Sequence, residues 1–158
     1  MNADAFFDRS YDAVLITMIA HVVDVEGPVL NTVLARRIAR AHGWQRTGAR
    51  IQERVERLAS TAHQTTDEDV GTFYWATPRG PKLPIAFRRA SDEASRSVDE
   101  ICMPELVDLA RQITAKCTDI EDAIVVMARE LGLQRLRSAS RGRFEVAVAQ
   151  ARRHYEKD

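Results

Sequence analysis

The stretch from 31 to 60 constrains the fold more than any other part of the chain. Val33, Leu34, Ile38 and Ala41 recur with helical spacing and give a first helix one buried face. Gly43 follows, the residue best suited to a left-handed helix cap, and then Trp44, expected as a core plug. Arg46, Thr47 and Gly48 lead into a second helix, with Ile51, Val55 and Leu58 as its apolar stripe. Arg50, Arg54 and Arg57 repeat that spacing one residue earlier, so they lie about 100° around the helix from the buried stripe. Two helices joined by a tight turn, with arginines on the second, are a common way to enter a DNA groove. They are equally a common way to build a helix pair with a solvated face.

The elements on either side extend this pair. Tyr11 to Asp24 carries a broad apolar face of Val14, Leu15, Met18, Ile19, Val22 and Val23, and Glu26-Gly27-Pro28 breaks it. Val29-Leu30 suits a short extended contact before Asn31, an expected N-cap. Beyond Ser60, polar residues around Thr66-Asp67-Glu68-Asp69 read as a turn before the aromatic strand Thr72 to Ala76, which together predict a β-hairpin. Three helices followed by a hairpin is the order of a winged helix–turn–helix, although an acidic tip is awkward for a wing that touches phosphate. Prolines 78, 81 and 84 predict an irregular connection.

Helical patterning resumes at Pro104, with Leu106, Leu109, Ala110 and Ile113 on one face. Thr118 to Glu121 has the form of a capping box opening a helix that ends at Gly132. Residues 133–140 read as a loop, and Arg141 to Lys157 as a last helix with Phe144, Ala147, Val148, Ala151 and Tyr155 inward. The two halves match. Ala39 to Arg46 aligns with Ala128 to Arg135, and Gly48 to Ile51 compares with Gly142 to Phe144 only after an insertion of about five residues. The expected fold is therefore mainly α: a winged helix–turn–helix with a small β-hairpin wing, followed by a second, degenerate helix–turn–helix-like unit. The expected divisions are an N-terminal tail over 1–10, a winged-helix unit over 11–90, a linker over 91–103 and the second unit over 104–158.

The run Glu26-Gly27-Pro28-Val29, then Arg36-Arg37-Ile38, then Gly43 to Ile51, resembles an uncharacterised domain family found near the C-terminal end of large bacterial superfamily I helicase-related proteins. Phe73-Tyr74-Trp75 and the segment around Glu105 and Leu106 look like that family too. The resemblance implies an accessory domain of a DNA-processing protein with helicase and endonuclease-like parts. It carries over no catalytic residue.

Charge sharpens the choice. The formal net charge is zero, yet residues 31–60 hold seven arginines against Glu53 and Glu56, and residues 132–153 hold six against Glu145. The acidic stretch 91–131 lies between them. Local charge therefore favours an anionic partner where the whole-chain balance does not. The expected DNA contacts are Arg46, Thr47, Arg50, Arg54 and Arg57 on the second helix, Arg36 and Arg37 anchoring the first, and Arg79 and Lys82 following a phosphate strand. The competing expectation pairs Glu53 with Arg50 and Arg57 on a solvated face. Phe73 and Trp75 are expected in the core, with Tyr74 open to either face.

No residue spacing supports a metal site, a cofactor site or catalysis. His21, His42, His63 and His154 are dispersed, and no glycine-rich phosphate loop or nucleophile elbow occurs. Cys102 and Cys117 do not make a disulfide framework, so free thiols in a reducing cytoplasm are expected, with no membrane segment. The leading expectation is a non-catalytic DNA-binding module serving helicase or nuclease domains of the same or a partner protein. The alternative is a protein–protein or homodimerisation module.

Overall fold

The structure, a computed structural model, describes residues 1–89, 95–117 and 119–155, leaving aside the side chains of residues 154 and 155. The chain forms two compact units, Met1–Leu83 and Pro84–Asp158. Among the described residues it is mainly helical, with six α-helices and one small three-stranded antiparallel sheet.

In the first unit the order is α1 (Asp12–Glu26), β1 (Val29–Leu30), α2 (Asn31–Ala41), α3 (Ala49–Ala62), β2 (Gln64–Glu68) and β3 (Gly71–Trp75). The sheet order is β1-β3-β2. The two residues of β1 suffice to add a third strand, pairing Val29 with Tyr74 and Leu30 with Phe73. β2 runs on to Glu68, so the hairpin turn is only Asp69-Val70, tighter than the sequence suggests. Leu30, not Asn31, is the N-cap of α2, and the Asn31 amide instead donates to Glu56 Oε1 of α3 at 2.8 Å.

The core of this unit is Leu15, Ile19 and Val23 from α1, Leu34 and Ile38 from α2, Val55 from α3, and Phe73, Tyr74 and Trp75 from β3. All three aromatics are buried. Tyr74 points toward α3, where its hydroxyl lies 3.3 Å from Ser60 Oγ and 3.4 Å from the Glu56 carbonyl, while Trp75 Nε1 donates to Thr66 Oγ1 at 2.9 Å.

The N-terminal residues are not the expected tail. Phe6 is fully buried and packs edge-on against His42 and Trp44, with ring centroids 5.0 and 4.9 Å away. Burying one such ring stabilises the fold by roughly 2–3 kcal/mol, enough to hold a short segment down. A 3-10 turn over Arg9–Tyr11 then leads into α1. His42 Nδ1 lies 2.7 Å from the Ile38 carbonyl and its Nε2 3.3 Å from the Tyr11 hydroxyl. Trp44 is half-buried and stacked on His42, the edge of an aromatic cluster and not its centre.

The second unit begins upstream of the expected linker. Ile85 and Phe87 are buried, and the Phe87 N–H donates to Asp108 Oδ2 at 2.9 Å. Residues 90–94 of the region expected to link the units lie outside the described residues, and 98–100 form a 3-10 turn capped by Ser97 and Glu100. Then come α4 (Met103–Thr114), α5 (Ile120–Glu130) and α6 (Ser138–Tyr155), with Ile101, Leu106, Leu109, Ile124, Met127 and Phe144 in their shared core. No strand occurs among the described residues of this unit. Thr118 of the expected capping box and the Tyr155 side chain lie outside the described residues.

A single offset of 89 relates the two units. It takes the 3-10 turn Arg9–Tyr11 to Val98–Glu100, Asn31–Ala41 to Ile120–Glu130, and the start of α3 at Ala49 to the start of α6 at Ser138. The turns share two closing bonds, one of them from the Gly43 and Gly132 N–H groups to the Arg40 and Arg129 carbonyls, at 2.9 Å in both. Gly43 and Gly132 both have positive φ, 86° and 66°, and the Trp44 and Leu133 N–H groups reach back to the Ala39 and Ala128 carbonyls at 3.1 and 2.9 Å. The expected five-residue insertion is therefore absent. Ser138 to Ser140 extend α6 upstream, so Gly142 is an interior helical residue, and Gly48 corresponds to Arg137. Only the first helices slip, by one residue. Leu15, Ile19 and Val23 correspond to Glu105, Leu109 and Ile113, which puts a carboxylate at a core position.

Candidate nucleic-acid interface

α3 is positioned from three sides. Gly48 caps its first turn in an extended conformation, its carbonyl accepting from the Ile51 and Gln52 N–H groups at 3.0 and 3.1 Å. Val55, Leu58 and Ala59 bury its inner face, and Glu56 takes hydrogen bonds from Asn31 and Gln52. The face left to solvent carries Arg50, Glu53, Arg57 and Ser60, with exposed Arg46 in the turn just before the helix.

The nine residues expected to touch DNA divide sharply. Arg46, Arg50, Arg57, Arg79 and Lys82 are exposed. Among the described residues no carboxylate pairs with Arg46, Arg50 or Arg57, so the expected Glu53 pairings do not form in this geometry. Arg50 instead sets its guanidinium 4.7 Å above the half-exposed ring of Phe7, a contact worth about 0.5–1 kcal/mol that fixes the side chain without neutralising it. Thr47 is half-buried in the turn.

The others are engaged elsewhere. Arg54 turns inward, donating to the Asp8 carbonyl at 2.8 Å and to Asp12 Oδ1 at 2.6 Å, with its side chain 11% exposed. Its place half-way between the outer and inner faces of α3 lets it bind the start of α1. Arg37 pairs with Glu26 at 2.9 Å, tying α2 to the end of α1. Arg36 is half-buried and is not a free cation.

The hairpin carries acid at its turn. Asp67, Glu68 and Asp69 lie at or beside its tip, and Thr72 Oγ1 donates to Asp67 Oδ1 at 2.7 Å. At its other end Gly80, with φ of 59°, sits against the Gln64 side chain, so Arg79 and Lys82 flank the base of the hairpin just past α3. Sequence reasoning missed Phe7. The signal was there, as an apolar Phe6-Phe7 pair inside an otherwise acidic and polar N-terminus.

In the second unit the counterparts of Arg50 and Arg57 are Ala139 and Val146, so the outward arginines of α3 have no equivalent on α6. Its Arg141 is held by Glu121 and by Glu145 at 3.0 Å. The hydrogen bond it donates to the Glu121 carboxylate raises the pKa of this guanidinium above its ordinary value. Neither Cys102, which is buried, nor Cys117 is in a disulfide. Among the described residues no three side chains gather as metal ligands, and no helix is long and apolar enough to cross a membrane.

A family model described as Protein of unknown function (DUF3320) matches residues 4–53. The match starts before buried Phe6 and runs through α1, β1, α2 and the turn into the first residues of α3. It supports an uncharacterised domain family over that part of the chain. No curated protein and no solved structure matches the chain.

Proposed function

We propose that the first unit is a winged helix–turn–helix and acts as a non-catalytic DNA-binding accessory module. The element order helix–strand–helix–helix–strand–strand and the sheet order β1-β3-β2 support that fold. The observation that carries the function is the outward face of α3, where Arg46, Arg50 and Arg57 stand exposed and without carboxylate partners among the described residues. In this reading α3 enters a groove and these three arginines neutralise phosphates, with Thr47 at the helix start and Arg79 and Lys82 extending the contact. Glu53 and the acidic hairpin tip oppose phosphate, so the contact is made through the helix and its flanks and not through the wing. Without a base-reading pattern, binding is non-specific or weakly specific. The resemblance to domains of helicase-related proteins supports helicase or nuclease domains of the same or a partner protein as neighbours.

The test is binding of the chain to short labelled duplex and single-stranded DNA at low salt, beside an Arg46/Arg50/Arg57→Ala variant. Binding that the variant loses supports the reading, and absence of wild-type binding removes it.

One observation favours a second reading, docking on a protein or a second copy of this chain. α1 leaves Val14 and Val25 exposed at 40% and 67%, with half-buried Met18 between them on the same stripe. Sedimentation of the chain beside a Val14/Val25→Asp variant tests it. A dimer that the variant abolishes supports self-association, and a monomer at all concentrations leaves only a foreign partner for this face.

A further inference from the structure

We infer that the second unit carries its own phosphate-binding cleft, centred on Arg135 and Arg137. The inference rests in part on the DNA-binding reading of the first unit, and its test separates the two. A cleft of about 810 Å³ opens between residues 97–99, at the start of the 3-10 turn, and the turn that joins α5 to α6. Arg135, Arg137, Gln134 and Ser140 give it four polar side chains that can donate hydrogen bonds. Both arginines are exposed, and among the described residues neither has a carboxylate partner. That contrasts with Arg141 and Arg143 of the same basic stretch, which bind Glu121 and the Ile101 carbonyl.

Two independent features point to phosphate. The first is the cleft's chemistry. Two guanidiniums lining one cleft suit oxyanions with several acceptor oxygens, where fork-like donors gain most. The second is the internal correspondence. Arg135 stands 89 residues after Arg46, three residues past a glycine of positive φ, in a turn closed by the same backbone bond. One turn therefore presents an arginine twice, once beside α3 and once beside α6. Arg137 takes the place of Gly48, so the second turn is the more basic of the pair. Asp99 lines the cleft too and opposes an anion, which keeps the site weak and gives the test a handle.

The ligand class is a phosphate-bearing one, either a nucleic-acid strand or a free nucleotide. The experiment follows backbone amide shifts of the full chain during titration with a short single-stranded oligodeoxynucleotide and, separately, with a nucleoside diphosphate. Four proteins are compared: wild type, Arg135/Arg137→Ala, Arg46/Arg50/Arg57→Ala and Asp99→Asn. Saturable shifts at residues 134–140 in the oligonucleotide arm assign a strand, and in the nucleotide arm alone a free nucleotide. In either case the shifts should weaken about tenfold or more in Arg135/Arg137→Ala, persist in Arg46/Arg50/Arg57→Ala and tighten in Asp99→Asn. For a single strand, removing two phosphate contacts should lower the salt slope by about 1.4. No shift at 134–140 with either ligand, or shifts untouched by Arg135/Arg137→Ala, overturns the proposal. Absence of shifts along 46–57 in the wild-type chain, with those at 134–140 present, would tell against the first unit's site and leave this one standing.

Discussion

Arg54 and Arg143 stand 89 residues apart in the sequence and do the same work in their two units. Each projects from the last-packing helix of its unit, one residue before a buried core residue, Val55 or Phe144. Each donates through Nη2 at 2.8 Å to a main-chain carbonyl just upstream of the first helix, Asp8 for Arg54 and Ile101 for Arg143. Arg54 adds an ion pair to Asp12 at 2.6 Å.

This relationship predicts a division of labour on α3. Arg54→Ala should lower the stability of the first unit by about 1–3 kcal/mol, because the Asp8 carbonyl and Asp12 lose a charged donor. Arg57→Ala should change it by no more than about 0.5 kcal/mol, as exposed unpaired residues do. Chemical denaturation followed by Trp fluorescence compares the two, and equal costs would contradict the assignment of Arg54 to the fold.

Glu105 makes the second unit depend on two arginines. Its fully buried carboxylate takes Arg88 Nε at 2.8 Å, Arg96 Nη1 at 3.1 Å and Arg96 Nη2 at 2.8 Å. Glu105→Gln should cost roughly 2–4 kcal/mol, since it strips the charge from a buried pair. Glu105→Leu combined with Arg88→Met and Arg96→Met should recover most of that loss, because Leu15 fills the corresponding place in the first unit. Denaturant midpoints of the three proteins give the answer, and a triple variant no better than Glu105→Gln contradicts it.

These contacts also show what was legible in sequence. Helical spacing located α1 to α5 and most of the core, because an apolar stripe at i, i+3 and i+4 reports burial directly. Glycine at 43 and 132 marked both turns for the same reason, a left-handed cap that side chains avoid. Stripe position alone misplaced Arg54. A long side chain on the flank of a helix faces solvent or the neighbouring helix depending on where that helix begins, and the Asp8 carbonyl lies 46 residues away. The N-terminal segment was missed because Phe6 and Phe7 have no periodic neighbours. The start of α6 was missed because Ser138-Ala139-Ser140 has loop composition, and packing of Phe144 and Val148 decides the helix instead.

Tyr74 gives the fold a dependence on alkaline pH. Burial pushes its phenol above the ordinary value of about 10, the Ser60 hydroxyl pulls the other way, and the charges of Glu56 and Asp67 add to the rise. The neutral phenol is favoured in the folded state. Its contribution is therefore complete below about pH 10 and is lost as pH rises through the higher folded value. Thermal unfolding from pH 9 upward should show a steeper decline for wild type than for Tyr74→Phe, and parallel curves would contradict it.

Gly71 is held where a side chain does not fit. Its φ is +136°, and a Cβ there would lie 2.6 Å from Asn31 Oδ1 and 3.1 Å from Leu30 Cδ1. Gly71→Ala should destabilise the first unit by about 1–3 kcal/mol through strain at the hairpin turn. A melting temperature equal to that of wild type would contradict this.

The most direct measurement is the salt dependence of DNA affinity for the wild-type chain, Arg46/Arg50/Arg57→Ala and Arg54→Ala, recorded where all three remain folded. If α3 presents three arginines to duplex phosphates, the log–log slope should fall by about 2.7 in the triple variant, about 0.9 per contact, and stay unchanged in Arg54→Ala. A triple variant that keeps the wild-type slope, or a wild-type chain that does not bind at low salt, would contradict the account.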